Sequence, residues 1–145
     1  MLEYREGFGR HARIQFVMNQ SVLAAIGHTD LVELRNVVPA GCGRVAVKLE
    51  WQNPTGSMKD RMAIAAISRA EEDGRLAAGD TVVEYTGGST GASLAMVCAA
   101  KGYSIHIVSS TAFSREKLAH MRAYGAALTL VPYDGAVSRS KSSST

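Results

Sequence analysis

Two short loops hold the residues whose chemistry stands out. The first reads Asn53-Pro54-Thr55-Gly56-Ser57-Met58-Lys59-Asp60-Arg61. Its centre is Lys59, which the pattern sets at a helix start. A helix N-terminus carries partial positive charge, so a cation is disfavoured there. The same field, together with desolvation, favours the neutral and nucleophilic amine. Most lysines are solvated surface residues, and it is the company of Lys59 that sets it apart. The second loop reads Thr86-Gly87-Gly88-Ser89-Thr90-Gly91. Its glycines let the backbone come close to a ligand, and Ser89 and Thr90 could cap the helix that follows. Free N–H groups and the dipole at such a terminus suit an anion, either phosphate or carboxylate. The spacing G-G-x-x-G matches neither the phosphate loop ending in Gly-Lys-Ser/Thr nor the dinucleotide fingerprint G-x-G-x-x-G.

The elements around these loops read as a βα series. Arg44–Glu50 has strand character. Ser57 with Asp60 three residues on resembles a helix start signal. Met62, Ala63, Ala66, Ile67 and Ala70 recur at helical spacing until Gly74. Thr81–Tyr85, Ser104–Val108 and Ala127–Val131 read as further strands. Between them lie a helix over Ala92–Ala100, apolar nearly all round and therefore buried, and an amphipathic helix over Ser114–Tyr124. Gly102 and Gly125 end them. Strand starts about 23 residues apart suit βαβ units and a parallel sheet. The expected fold is three-layer α/β/α, with a mainly parallel sheet of about four strands. In such sheets ligands bind beyond the carboxyl ends of the strands, where both loops fall.

The chain has 145 residues, 46% apolar and 20% charged, with a net charge of +3. That is ordinary for one globular domain and too weakly basic to argue for nucleic acid. The two cysteines, Cys42 and Cys98, lack metal-ligand neighbours, so no metal site is expected and a reduced, cytoplasmic setting is the default. The longest apolar run, Leu94–Ala100, is too short to span a membrane. Ile14–Ile26 is broken by polar residues and does not read as a signal peptide. His28, His106 and His120 read as structural or surface residues, Cys98 and Met96 as core, and Met58 and Met62 as packing. Trp51 is expected to pack beside the lysine loop.

The motifs together resemble the cysteine synthase family, pyridoxal-phosphate enzymes of the tryptophan-synthase-β-like fold (fold type II). Asn53–Arg61 is similar to the family's lysine motif, N-P-(x)-G-S-x-K-D-R. Ile26-Gly27-His28-Thr29 with Leu31-Val32 resembles I-G-N-T-P-L-V, and Val83–Gly91 resembles V-E-A-T-S-G-N-T-G. Ala99–Tyr103 and Tyr124–Ala126 follow in matching order. The resemblance covers about residues 18–135. Asp30 stands where the family has proline, Gly87 where it has serine, and Ser89 where it has asparagine.

The resemblance implies a cofactor, pyridoxal 5'-phosphate, and roles for these residues. Lys59 would be the Schiff-base lysine and would then move the substrate α-proton. Thr86, Gly87, Gly88, Ser89 and Thr90 would grip the α-carboxylate of a small amino-acid substrate. Ser89 would also touch the cofactor's ring hydroxyl. Full-length relatives would be homodimers that replace the β-substituent of O-acetylserine, or a similar activated serine, with sulfide to give cysteine. The implied division is an extension over 1–17 (with Met1 or Met18 as the start), an opening segment over 18–43 that packs on a larger domain, the small α/β domain over 44–135, and a disordered serine-rich tail over 136–145. Relatives are longer, and nothing after Val131 resembles their cofactor-phosphate loop, so weak or no catalysis is expected of this chain alone. Two other readings compete: a non-catalytic fragment that works by binding a partner chain, and a nucleotide-binding oxidoreductase domain using Thr86–Gly88.

Overall fold

The computed structural model describes residues 21–133. The expected extension over 1–17 and the tail over 136–145 lie outside them. In chain order the elements are β1 (Leu31–Leu34), β2 (Val45–Lys48), α1 (Lys59–Glu72), β3 (Thr81–Tyr85), α2 (Ser89–Lys101), β4 (Ser104–Ser110), α3 (Arg115–Ala123) and β5 (Ala127–Val131). Single 3-10 turns occupy Val22–Ala25 and Glu50–Gln52. Among the described residues no helix is long and apolar enough to cross a membrane.

The α/β class and the parallel sheet are as expected. Strands β3, β4 and β5 pair in that order, with Val83 opposite His106 and Val108 opposite Thr129. The strand expected over 44–50 forms, but not in this sheet. It is β2, and it pairs antiparallel with β1, Val47 opposite Val32. Its four residues are all exposed, whereas a strand in a parallel sheet needs cover. Strand composition could not reveal its partner.

The layering also differs from expectation. Strands that follow one another in order, joined by right-handed crossovers, place α2 and α3 on the same face. Burial agrees. Ile105 and Ile107 are buried, and Val82, Leu128 and Leu130 pack against the same core. On the opposite face Val83 and Tyr85 are 67% and 66% exposed. The described residues therefore make a sheet with helices on one side.

Helix α2 is the centre of the core. Every residue from Gly91 to Cys98 is buried, as its all-round apolar sequence requires, and it packs on α1, α3, β3 and β4. Ala63 and Ile67 of α1 and Leu118 and Met121 of α3 close around it. Burial pushes the Cys98 thiol up to about 11, so it is inert core, as expected. Met96 is buried too, but Met58 and Met62 are exposed, and Trp51 is 66% exposed rather than packed on the lysine loop. Their apolar character suggested packing, but they sit on the outer side of the loop and the first helical turns.

Gly91 is where α2 comes closest to its neighbours. A Cβ there would lie 2.6 Å from Met121 Cε and 2.8 Å from Thr86 Cγ2. A Cβ on Gly88 would meet nothing within 4 Å. Gly91→Ala is expected to lower the unfolding free energy by about 1–2 kcal/mol despite alanine's better helix propensity. Gly88→Ala is expected to change it little. Urea titrations of both variants check the difference.

Candidate active site

Helix α1 starts at Lys59, and the Ser57 hydroxyl accepts from the Lys59 backbone N–H at 3.1 Å. The Lys59 side chain is half-buried. Among the described residues nothing forms a hydrogen bond or ion pair with its amine. The next residue, Asp60, turns inward. It is fully buried, and its carboxylate accepts from Thr55 N–H at 2.8 Å, Thr55 Oγ1 at 2.5 Å and Ser93 Oγ at 2.5 Å. Ser93 belongs to α2, one turn beyond Ser89.

A second clamp joins the far ends of the same two helices. Glu71 of α1 accepts from Lys101 Nζ at 2.6 Å and from the Tyr103 hydroxyl at 2.8 Å. Both donors hold its carboxyl below the usual range, Lys101 more than Tyr103. With Asp60 bonded to Ser93 at one end and Glu71 to Lys101 at the other, α1 and α2 run in the same direction. Their N-termini, each preceded by one of the two loops, therefore share one end of the domain.

The Thr86–Gly91 loop lies half-buried at that end, with Gly87 buried. Helix α2 begins at Ser89 after Gly88, and among the described residues no side chain caps it. The expected capping by Ser89 and Thr90 is thus not made, and the Thr86 hydroxyl reaches Gly88 N–H only at 3.4 Å. Gly91 N–H bonds Gly88 O at 3.1 Å, and among the described residues the N–H groups of Ser89 and Thr90 have no acceptor and are left for an anion. A Cβ on Gly87 would fall on the ring of Phe113, from the loop after β4. That contact gives the departure from serine at this position a structural reason. Sequence reading passed over Phe113.

The third member of Lys59-Asp60-Arg61 faces the opening segment. Arg61 donates to both carboxylate oxygens of Glu50 at 2.9 and 3.0 Å, to Gly27 O at 3.0 Å and to Thr29 Oγ1 at 3.0 Å. Asn53 completes the cluster. It accepts from Gly27 N–H at 2.9 Å and donates to Glu50. Gly27 has φ +87°, a conformation that favours glycine, and a Cβ there would also press on Arg61 Nη1 at 2.7 Å. Sequence reading noted Arg61, Asn53 and Gly27 as parts of motifs, without these bonds. A signal was present for Ser93, since a serine inside an all-apolar helix needs a polar partner. His28 and His120 are exposed, and His106 shares a 2.8 Å hydrogen bond with Thr129.

Arg61 above all, with Asn53 and Thr29, lowers the Glu50 carboxyl from 4.5 to about 2. A group depressed on folding contributes stability above its unfolded value and loses it as pH falls through the folded one. The stability contributed by Glu50 is therefore expected to fade between pH 4.5 and about 2. Glu50→Gln should be less stable than wild type at pH 7, with the gap narrowing across that window. Denaturant titrations at several pH values measure it.

Comparison with known proteins places this architecture. The family model described as "Pyridoxal-phosphate dependent enzyme" matches residues 22–143. Cysteine synthase from Staphylococcus aureus (strain N315) is 46% identical over 125 residues, 83% of this chain and 40% of that protein. The crystal structure of O-ureido-L-serine synthase superposes with a TM-score of 0.75 at 43% identity, over 80% of this chain and 36% of that one. Cysteine synthase from Entamoeba histolytica superposes with a TM-score of 0.76 at 35% identity, over 85% of this chain and 38% of that one. The chain thus spans about two fifths of the length of such relatives. With the lysine loop and the uncapped helix at one end of a parallel α/β sheet, and the family match running through both, this chain belongs to the pyridoxal-phosphate dependent enzyme family.

Proposed function

We propose that this chain carries the amine and carboxylate-binding part of a cysteine synthase-like enzyme. The whole reaction would replace the β-substituent of O-acetylserine, or a similar activated serine, with sulfide to give cysteine. One observation carries the reading. The Lys59 amine, unpartnered among the described residues, stands at the start of a helix clamped parallel to α2, whose N-terminus, likewise uncapped among them, follows the Thr86–Thr90 loop.

These residues fit a pyridoxal phosphate site in part. Lys59 would hold the cofactor through its amine, and Ser89 would donate to the ring hydroxyl. When bound, the cofactor supplies an electron sink for charge at the substrate α-carbon. The chain's own groups do the rest. Backbone N–H groups and hydroxyls of Thr86, Ser89 and Thr90, with Gly87 and Gly88 permitting close approach, orient the substrate carboxylate. The Lys59 amine accepts and returns the α-proton. No group for the cofactor phosphate is evident among the described residues, so occupancy is expected to be weak.

Titration with pyridoxal phosphate tests this. The visible band of amine capture is followed, and borohydride reduction with peptide mapping then locates the label. Saturable labelling at Lys59, absent from Lys59→Ala, is the expected result. Labelling spread evenly over the chain's lysines would overturn the reading.

The bare sheet face favours a second reading, in which the chain works through a partner. Val83 and Tyr85 of β3 and Val131 of β5 are exposed there. An apolar face of this kind tends to associate. Gel filtration distinguishes the two: a clean monomer at all concentrations counts against association.

A further inference from the structure

The Lys59 amine has no bond of its own to fix it among the described residues, so its place must be set by the backbone beneath it. That backbone is held by the adjacent side chain. The Asp60 carboxylate is fully buried and takes three hydrogen bonds. Two come from Thr55 and close the turn between Thr55 and Asp60, within which Lys59 sits. The third comes from Ser93, in the second turn of α2, and Thr55 Oγ1 lies 3.3 Å from the same hydroxyl. Ser93 is itself fully buried. A carboxylate is costly to bury unless its oxygens are satisfied, so the three donors and Asp60 stand or fall together.

From this geometry we infer that Asp60 is a positioning residue for Lys59, and that Thr55–Asp60–Ser93 is the brace that fixes the lysine relative to the Thr86–Thr90 loop. The inference deepens the proposed function and rests on it for the chemistry Lys59 would perform. The brace has two separable halves. Thr55 sets the shape of the lysine loop. Ser93 sets its distance from the helix that opens at the anion-binding end. Glu71 with Lys101 and Tyr103 holds the far ends of the helices and would keep them together when the near bond is cut.

The test reads Lys59 directly and needs no turnover. The folded chain is pulsed with trace acetic anhydride over a range of pH, and acetylation of Lys59 is quantified by mass spectrometry against Lys48 and Lys117 as internal standards. Wild type, Asp60→Asn, Ser93→Ala and Thr55→Val are compared, together with Lys101→Ala. The last removes a clamp donor away from the lysine and controls for general loosening. The expected result is a change of about threefold or more in the relative Lys59 rate, or a moved pH midpoint, in Ser93→Ala and Thr55→Val. Asp60→Asn should give the largest effect and Lys101→Ala none. The same variants should weaken pyridoxal phosphate capture at Lys59 by about tenfold. If Asp60→Asn does not fold, the two hydroxyl variants decide the matter. An unchanged rate and midpoint in both, or an equal change in Lys101→Ala, would overturn the inference. If pyridoxal phosphate labels wild-type lysines indiscriminately, the proposed function fails, while the acetylation profile still reports on the brace.

Discussion

Helices α1 and α2 lie side by side in the same direction because each end of α1 is bonded to α2. At the near end the bond is Asp60 to Ser93, and at the far end Glu71 to Lys101 and Tyr103. The apolar contact between them, Ala63 and Ile67 against the buried face of α2, has no inherent direction. The polar pairs supply it, since a buried carboxylate tolerates few alternative partners. A reversed or slipped α1 would leave Asp60 buried without donors. The loops before the two helices are thereby brought to one end of the domain, and the Lys59 amine comes to share that end with the N-terminus of α2.

Three consecutive residues divide the work of the lysine loop. Among the described residues the Lys59 amine has no partner, Asp60 turns inward to α2, and Arg61 turns outward to the opening segment. Arg61 ties Gly27 and Thr29 to Glu50, and Asn53 bridges Gly27 and Glu50 as well. The short β1–β2 pairing alone would hold the opening segment poorly, because a two-stranded sheet is marginal by itself. Multiple donors on one carboxylate make this attachment firmer than an isolated surface ion pair.

Much of this was legible in the sequence, and the reasons differ by residue. The helices over 59–72, 89–101 and 115–123 follow from apolar spacing and from Gly102 and Gly125, whose positive φ ends two of them. The parallel strands follow from their spacing. Pairing of β2 was not legible, because strand composition is silent about partners. One-sided cover of the sheet was not legible either. It depends on strand order, which periodicity does not contain. Residue type and spacing single out Lys59 and the Thr86–Thr90 loop as candidates, and the family resemblance agrees with the match over 22–143. Ser57 with Asp60 marks the start of α1 as its spacing suggests, but the inward bonds of Asp60 to Thr55 and Ser93 are not contained in that spacing.

The departures at Gly87 and Ser89 are of different kinds. At Gly87 the loss of a side chain is matched by the ring of Phe113, which buries the loop where a Cβ would stand. Restoring a side chain there requires the ring to shift. Ser89 has no such counterpart. It is half-buried at the first turn of α2, and its hydroxyl caps nothing among the described residues. A shorter side chain at the mouth of an otherwise preserved loop leaves the backbone N–H groups as the dominant donors. Backbone donors recognise a carboxylate whatever side chain the amino acid carries. Under the proposed function, selectivity among activated serines would then come from groups beyond this loop, and the described residues would fix the class of ligand rather than its identity.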